Sequence, residues 1–503
     1  MEENSKSMKI TYAKNLSKFN FNTTLSVPID SNVNIKTILD VNTYLFDHKV
    51  ECGNGKAIIS GKIGVKVLYI DTDNMTNTIT DSQSFSDTYL DSSITSETFL
   101  NVNNFNIVNN ILSSDGSLKI NCDLSISPVA YLNLSLSNNL QANEMLITKK
   151  SELTTSTISC CVNTKFEHVT NLETKDTISK VLCNNSYFTP EKTTAQDGFA
   201  IVEGKMVSCV VYETTTEDTT TIKEMHETSN IKCDVEIENL TKENLLDLSF
   251  MIDKSQDEIS TEFEDDNNIV SIKQKICVCG VVLKNVALDI VDDVYSTEND
   301  IETTTTKREY TKKAENFCVS DTISNEISLS GDETAIDEVI ANLNITPEIT
   351  NTYIKDNHIF IEGIVTSNLT YIDENKEFKH KQLEIPFIIN TKIYAENSGC
   401  THNEISIVDS RIKIKRGTII DMEYSLFACV TVYEKETHEM IDNFTIGKQL
   451  DFSKYDFQIF IAKPNETLWE LCKRIKISPD DIHKHNKDLP LVMLGGEKVV
   501  IKR

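Results

Sequence analysis

The chain has 503 residues, with 77 Asp and Glu against 49 Lys and Arg and a formal net charge of −28. So acidic a protein argues against a nucleic acid or an anionic membrane as partner, since either needs a basic footprint. No run of 18 apolar residues occurs, so no membrane insertion is expected, and the opening MEENSKSMKITYAKN lacks the apolar core of a secretory signal. The expectation is a protein that stays where it is made.

Thr, Asn, Ser, Ile and Val dominate, while Pro (8) and Gly (15) are scarce. That composition suits β-rich domains with polar outer faces. At about 150 residues per domain the length accommodates three or four of them. The 13 cysteines are an odd number without framework spacing, as in a reducing cytosol. Their close pairs, Cys160–Cys161 and Cys277–Cys279, lack the C-x-x-C form, and the expectation is small buried hydrophobes.

In chain order, residues 1–18 read as a tail and 19–134 as a first domain. Within it, Ile35, Ile38 and Leu39 stand at i, i+3 and i+4, which predicts one stripe of a short helix. The segment 57–71, AIISGKIGVKVLYID, then alternates as a strand, with Gly61 eight residues before Tyr69. A strand over 117–134 closes the domain. Residues 135–160 turn polar and predict a partly helical connector. The second domain, 161–288, repeats the pattern: Ile178, Val181 and Leu182, then 200–214 with Gly204 and Tyr212, closing with 269–283. Its seven carboxylates between Asp253 and Asp266 lack the turn glycine of an EF-hand loop and predict a solvated loop. Residues 289–314, acidic and Thr-rich, predict a linker or hairpin tip. The third domain, 315–447, carries Ile336, Val339 and Ile340, then 359–373 with Gly363 and Tyr371, and closes with 419–433. From each triplet to its glycine the distance is 22, 22 and 23 residues. Period two puts each glycine and tyrosine on one face, and apolar residues on both faces predict a central strand. This glycine–tyrosine strand after a short apolar helix resembles the SPOCS domain of endospore-forming bacteria.

Residues 456–503 differ in texture and are expected to fold by themselves. A strand over 459–462 precedes Thr467, which stands three residues before Glu470 in a capping box. Leu468, Leu471 and Cys472 supply the buried stripe. Ser478, Pro479 and Asp481 start a second helix, Gly495–Gly496 turns the chain, and 499–501 closes the unit as a strand. The predicted fold class is therefore mainly β: three tandem β-rich repeat domains followed by a small α+β (βααβ) unit. That unit resembles the LysM domain, with Lys463, Pro464, Asn465, Glu466, Thr467, Leu468 and Trp469 standing at its K-P-G-D-T-L-W opening. Asn486, Gly496, Lys498, Val499 and Ile501 fall at the family's later positions.

In that family N-acetylglucosamine polymers lie between two loops. The resemblance therefore implies contacts at Pro464, Asn465, Glu466, Thr467, Met493, Leu494 and Gly495. Asn465 replaces a glycine, which asparagine tolerates in a left-handed turn. Gly495 replaces a proline and is expected to loosen its loop, a change that weighs against glycan binding. His483 and His485 lie two apart, on different helix faces, and are expected at the surface. Trp469, the only tryptophan, is either a support of the module's fold or, with Lys473 beside it, an anchor for a partner.

No nucleophile elbow, P-loop, dinucleotide fingerprint or H-E-x-x-H is present, so no catalytic residue, metal or cofactor is expected. SPOCS repeats followed by one LysM unit resemble the SipL-like spore morphogenesis proteins of clostridia. The resemblance implies a non-enzymatic scaffold in the mother-cell cytoplasm, at the forespore surface. It would tether coat layers through LysM binding to the coat morphogenetic ATPase SpoIVA. The alternative is a peptidoglycan-binding protein of the spore cortex or cell wall.

Overall fold

The computed structural model describes residues 8–28, 35–102, 105–114, 117–136, 146–215, 220–264, 267–331, 333–394, 398–451 and 457–502. The fold is mainly β, in many small antiparallel sheets. The first third holds β1 (Met8–Asn15), β2 (Phe19–Pro28), β3 (Ile35–Gly53), β4 (Lys56–Asp71), β5 (Thr76–Leu90), β6 (Phe99–Asn101), β7 (Phe105–Ser114), β8 (Ser117–Ile126) and β9 (Val129–Leu136). Next come β10 (Leu146–Thr174), β11 (Ile178–Ala195), β12 (Phe199–Thr215), β13 (Thr220–Glu236), β14 (Leu245–Ile252), β15 (Glu258–Glu264) and β16 (Asn267–Ser296). Then follow β17 (Asn299–Ser328), β18 (Ile336–Lys355), β19 (His358–Asp373), β20 (Phe378–Lys392), β21 (Ser398–Lys415) and β22 (Ile419–Gln449). Last are β23 (Phe457–Ile461), α1 (Leu468–Ile475), α2 (Pro479–His485) and β24 (Lys498–Lys502).

Each glycine–tyrosine strand is the middle of three, in the orders β3-β4-β5, β11-β12-β13 and β18-β19-β20. Val65 pairs with Thr43 and Asp81, and Ser208 with Ser186 and Glu227. The predicted short helices are strand instead. Ile35 pairs with Asp71 and Ile38 with Tyr69, so four residues on β3 oppose three on β4. Bulges fall in the same places on β11, between Ile178 and Lys180 and between Val181 and Cys183. On β18 they fall between Ile336 and Glu338 and between Val339 and Ala341. Each bulge lengthens a same-face spacing from two to three, which imitates the helical period. The last residue of each triplet is the extra one. Leu39, Leu182 and Ile340 thereby join one shared cluster with Leu68, Val211 and Ala341.

Two of the three glycines, Gly204 and Gly363, have a steric cause, whereas a Cβ on Gly61 would meet Phe85 and His48 at 3.1 Å and beyond. A further bulge on the flanking strand faces each: between Phe46 and Lys49, Pro190 and Lys192, and Ile349 and Asn351. A Cβ on Gly363 would stand 2.1 Å from the Glu348 carbonyl oxygen, and one on Gly204 2.4 Å from that of Thr189. No side chain fits under that backbone.

A second set of sheets is built on long strands: β10-β16-β14 with β15 further along β16, and β17-β22-β21. In the first third the same role falls to β2-β8-β7 and β1-β9-β6, split where Pro128 interrupts the middle strand. Several predicted boundaries are corrected accordingly. From Met8 on, the expected tail is β1, whose Ile10 and Ala13 are wholly buried. The expected connector 135–160 becomes β10 from Leu146, while 137–145 lie outside the described residues. The expected linker 289–314 is paired strand: its threonines suit a ladder, and Thr303–Thr306 pair with 440–444. The 253–266 segment is only partly solvated. Asp253 caps a 3-10 turn over Lys254–Gln256, and Asp257 accepts from Asn184 and Gln274, while β15 is exposed. Asp265 and Asp266 lie outside the described residues.

Each third has a core of its own, and all three contribute to shared clusters. One joins Ala13, Tyr131, Val281, Leu283, Ala314 and Tyr433; another joins Ile10, Leu153, Ile290, Tyr310 and Met440. Most cysteines are free, and the close pairs are not buried as expected: Cys160, Cys277 and Cys279 are half-buried and Cys161 is exposed, whereas Cys122, Cys183, Cys209 and Cys472 are buried. Cys318 and Cys429 depart from the reduced expectation. They sit directly opposite on β17 and β22 and are joined as a disulfide.

Gly363→Ala is expected to cost about 1–3 kcal/mol, as overpacking against backbone does. Gly331→Ala, with nothing near its added Cβ, should be neutral. Urea titration of both variants measures the difference.

Candidate functional site

The C-terminal unit forms from its own local signals. Thr467 and Glu470 make the reciprocal capping box on α1, and Ser478 caps α2 with Pro479 in its first turn. Leu468, Leu471, Cys472, Ile475 and Ile482 fill the interior beneath the β23–β24 pair. Asn465 takes a left-handed φ of 59°, as asparagine permits. His483 and His485 are exposed.

The two loops predicted to hold a glycan are zipped to one another. Asn465 N–H donates to the Met493 carbonyl, Met493 N–H to that of Glu466, and Leu468 N–H to that of Leu491. Gly496 N–H donates to the Ala462 carbonyl. The Leu494 and Gly495 amides both donate to the Glu497 carboxylate, at 2.6 and 2.8 Å. Thr467 N–H donates to Glu470, and Lys463 N–H to Glu466. Glu466 is buried and clamped by Arg474, and Met493 is wholly buried. Pro464 and Leu494 are exposed. Gly495 does not loosen its loop. Its φ is 103° and an added Cβ would lie 2.8 Å from the Pro464 Cγ, so neither proline nor alanine suits this backbone.

Trp469 and Lys473 face the rest of the chain. The indole meets the Tyr295 ring edge-on at 5.0 Å, and its Nε1–H donates to Asp293 Oδ2 at 2.8 Å. Lys473 Nζ donates to the other Asp293 oxygen at 2.6 Å. Burial opposes the Asp293 charge, but Lys473 and the indole outweigh it and hold its pKa below the usual range. Tyr295, wholly buried, donates to the Ile477 carbonyl at 2.7 Å and belongs to the module's core together with Ile147. The unit is therefore completed by β10 and β16.

No family model, no curated protein and no solved structure matches this chain.

Sequence reasoning missed a second site, because its residues lie far apart in the chain. Asn101, Asp247 and His402 hold corresponding register positions, opposite Val129, Val281 and Thr431. His402 Nδ1 lies 2.7 Å from Asp247 Oδ1, and its Nε2 lies 3.2 Å from Ser249 Oγ and 3.4 Å from the Asn101 amide. Thr431, Tyr131 and Tyr433 donate to the same carboxylate. Burial opposes the Asp247 charge, yet His402 and these hydroxyls hold its pKa down at about 2. Burial also opposes the His402 charge, and Asp247 overcomes it to raise the imidazole pKa. A serine, histidine and aspartate thus stand in line, and Asp247, Ser249 and His402 are all buried. The group is a buried joint between three sheets. Elsewhere Cys209, Glu224 and His226 could share a metal ion, and they are already hydrogen-bonded to one another across β12 and β13.

Glu404, two residues after His402, accepts from the Phe250 amide at 2.9 Å, and burial pushes its pKa up to about 7. A raised folded-state value favours the native state below the unfolded pKa of 4.5, and that contribution is lost as pH rises to about 7. Glu404→Gln should therefore lose less stability than the parent between pH 5 and 8, by on the order of 3 kcal/mol. Melting curves across that range test this. Trp469→Ala should release the docked module and speed amide exchange in 290–296 and 468–477, while the rest of the chain keeps its protection.

Proposed function

We propose that the chain is a non-enzymatic scaffold of spore coat assembly. Its three glycine–tyrosine sheets with their long-strand partners act as SPOCS-like repeats, and its βααβ unit acts as a LysM domain. That unit binds the coat morphogenetic ATPase SpoIVA at the forespore surface in the mother-cell cytoplasm. The resemblance of the sequence supports the assignment of family and partner. One structural observation favours a protein as what the unit binds. Its outer surface exposes Phe457, Ile459 and Ile461 on one face of β23, together with Leu491 and Leu494, the last 89% accessible. The three alternate side chains of β23 form one exposed apolar stripe, of the kind that marks interaction surfaces. Among the described residues β23 is also an edge strand, with only β24 beside it.

The alternative, peptidoglycan binding, draws less support. A sugar held between the loops would need free backbone donors, and those of 465, 467, 468 and 493–496 are engaged within the unit. The Trp469 and Lys473 surface is covered by Tyr295 and Asp293, which moves the partner-facing surface to β23 and the 491–494 loop.

Titration of the full chain with SpoIVA tests the reading. Ile459→Asp and Leu494→Asp should each weaken binding by about tenfold or more, close to 1.4 kcal/mol, with unchanged melting. Retention of chitin oligomers, with no binding of SpoIVA, would overturn it.

A further inference from the structure

The β12–β13 ladder places Cys209 directly opposite His226, and Val211 opposite Glu224. Glu224 and His226 stand two apart on β13, so they share a sheet face, and the register puts Cys209 on that face beside them. The Cys209 thiol donates to Glu224 Oε1 at 2.7 Å, and His226 Nε2 lies 3.0 Å from the other oxygen, Oε2. All three donor atoms lie within 4.8 Å of one another. Among the described residues this is the one group of histidine, cysteine and carboxylate side chains gathered so closely. Ligands of a tetrahedral zinc ion stand roughly 3.3–3.6 Å apart at its usual bond lengths. The spacing here brackets those values, so small rotations of three side chains open a place for the ion.

Charge gives a second, independent reason. The Glu224 side chain is only 16% accessible, yet no lysine or arginine pairs with it among the described residues. Its partners are a thiol and an imidazole that is 53% accessible. A carboxylate so far out of water calls for positive charge. The imidazole supplies it only when protonated, whereas a divalent ion supplies it where the ring is neutral and free to ligate. Burial and the Glu224 carboxylate keep the Cys209 thiol protonated. The ion therefore takes the place of that proton, which leaves sulfur for solvent as the Sγ–metal bond forms.

Thiolate, imidazole and carboxylate together suit zinc, whereas magnesium and calcium take oxygen ligands. Three protein ligands leave a fourth position to water, in keeping with a group that runs from buried Cys209 to exposed His226. The ligands come from two strands and meet only through register, which is why no metal motif appears in the sequence.

We propose that Cys209, Glu224 and His226 bind one zinc ion, with Sγ, a carboxylate oxygen and Nε2 as ligands and water in the fourth position. The ion clasps β12 to β13, and the site is independent of the partner surface on the C-terminal unit.

Titration of the full chain with zinc, and with cobalt as a spectroscopic stand-in, tests it. One zinc ion per chain should bind with a Kd of about 1 μM or tighter and raise the melting temperature. Cobalt should give the visible bands of a tetrahedral ion together with a thiolate-to-cobalt charge-transfer band. His226→Gln removes an exposed ligand, so it should weaken zinc binding about tenfold or more while melting in chelator stays unchanged. Cys209→Ser keeps a hydroxyl donor for Glu224 and should abolish the charge-transfer band. Cys161→Ser, at the exposed cysteine, should retain that band, and Leu494→Asp should bind zinc as the parent does. The proposal is overturned if no zinc binds one-to-one, if His226→Gln binds zinc as tightly as the parent, or if the charge-transfer band survives Cys209→Ser. Should Cys209→Ser fail to fold, the His226→Gln titration decides alone.

Discussion

A carboxylate removed from water must find opposite charge and donors, or it forces the structure apart. Asp247 is 3% exposed and has both: His402 on one oxygen, and hydroxyls of Thr431, Tyr131 and Tyr433 on the two. Those partners come from β9, β21 and β22, in the first and last thirds of the chain. Breaking such a pair on one side leaves an uncompensated buried charge, so the cost falls on the arrangement of all three sheets together. The apolar clusters around it could tolerate a small slide of one sheet on another. The hydrogen bonds could not, because each has a direction as well as a distance.

The same economy appears at a second junction. Bulges ordinarily terminate or re-aim a strand locally. Here one extra residue in each of β3, β11 and β18 is aimed at a common point, so that Leu39, Leu182 and Ile340 pack together. Next to this cluster Asp40 accepts from Asn344 and Asn368 of another third of the chain. Apolar contact and a directed polar contact thus occur side by side at both junctions.

What could be read in advance follows from the range of the interactions. The glycine–tyrosine strands were legible because alternation is local, and their central position followed from apolar residues on both faces. The C-terminal unit was legible for the same reason: Thr467 with Glu470, Ser478 with Pro479, and Gly495 with Gly496 are contacts within a few residues. The triplets at Ile35, Ile178 and Ile336 misled because a bulged strand and a helix share the spacing of three. Only the partner strand distinguishes them. The joint of Asn101, Asp247 and His402 left no signal, since its members are separated by more than a hundred residues and carry no spacing. Gly495 was legible as a departure, but its cause, the nearness of Pro464, needed coordinates.

Trp469 shows how one residue can satisfy two readings. As the sole tryptophan on a short amphipathic helix it fits either a support or an anchor, and the structure makes it an anchor turned inward, onto Tyr295 and Asp293. Tyr295 in turn reaches the Ile477 carbonyl beyond the C-terminal end of α1, where a free acceptor would otherwise face a closed interior. The module is thus held by a wedge of aromatic surface with a polar atom satisfied at each end. Such a contact fixes orientation more than it adds stability, because the surrounding ion pairs, Lys473 with Asp293 and Lys476 with Asp300, are half exposed and screened. With that face docked, Phe457, Ile459, Ile461, Leu491 and Leu494 stay exposed, left to whatever the module meets.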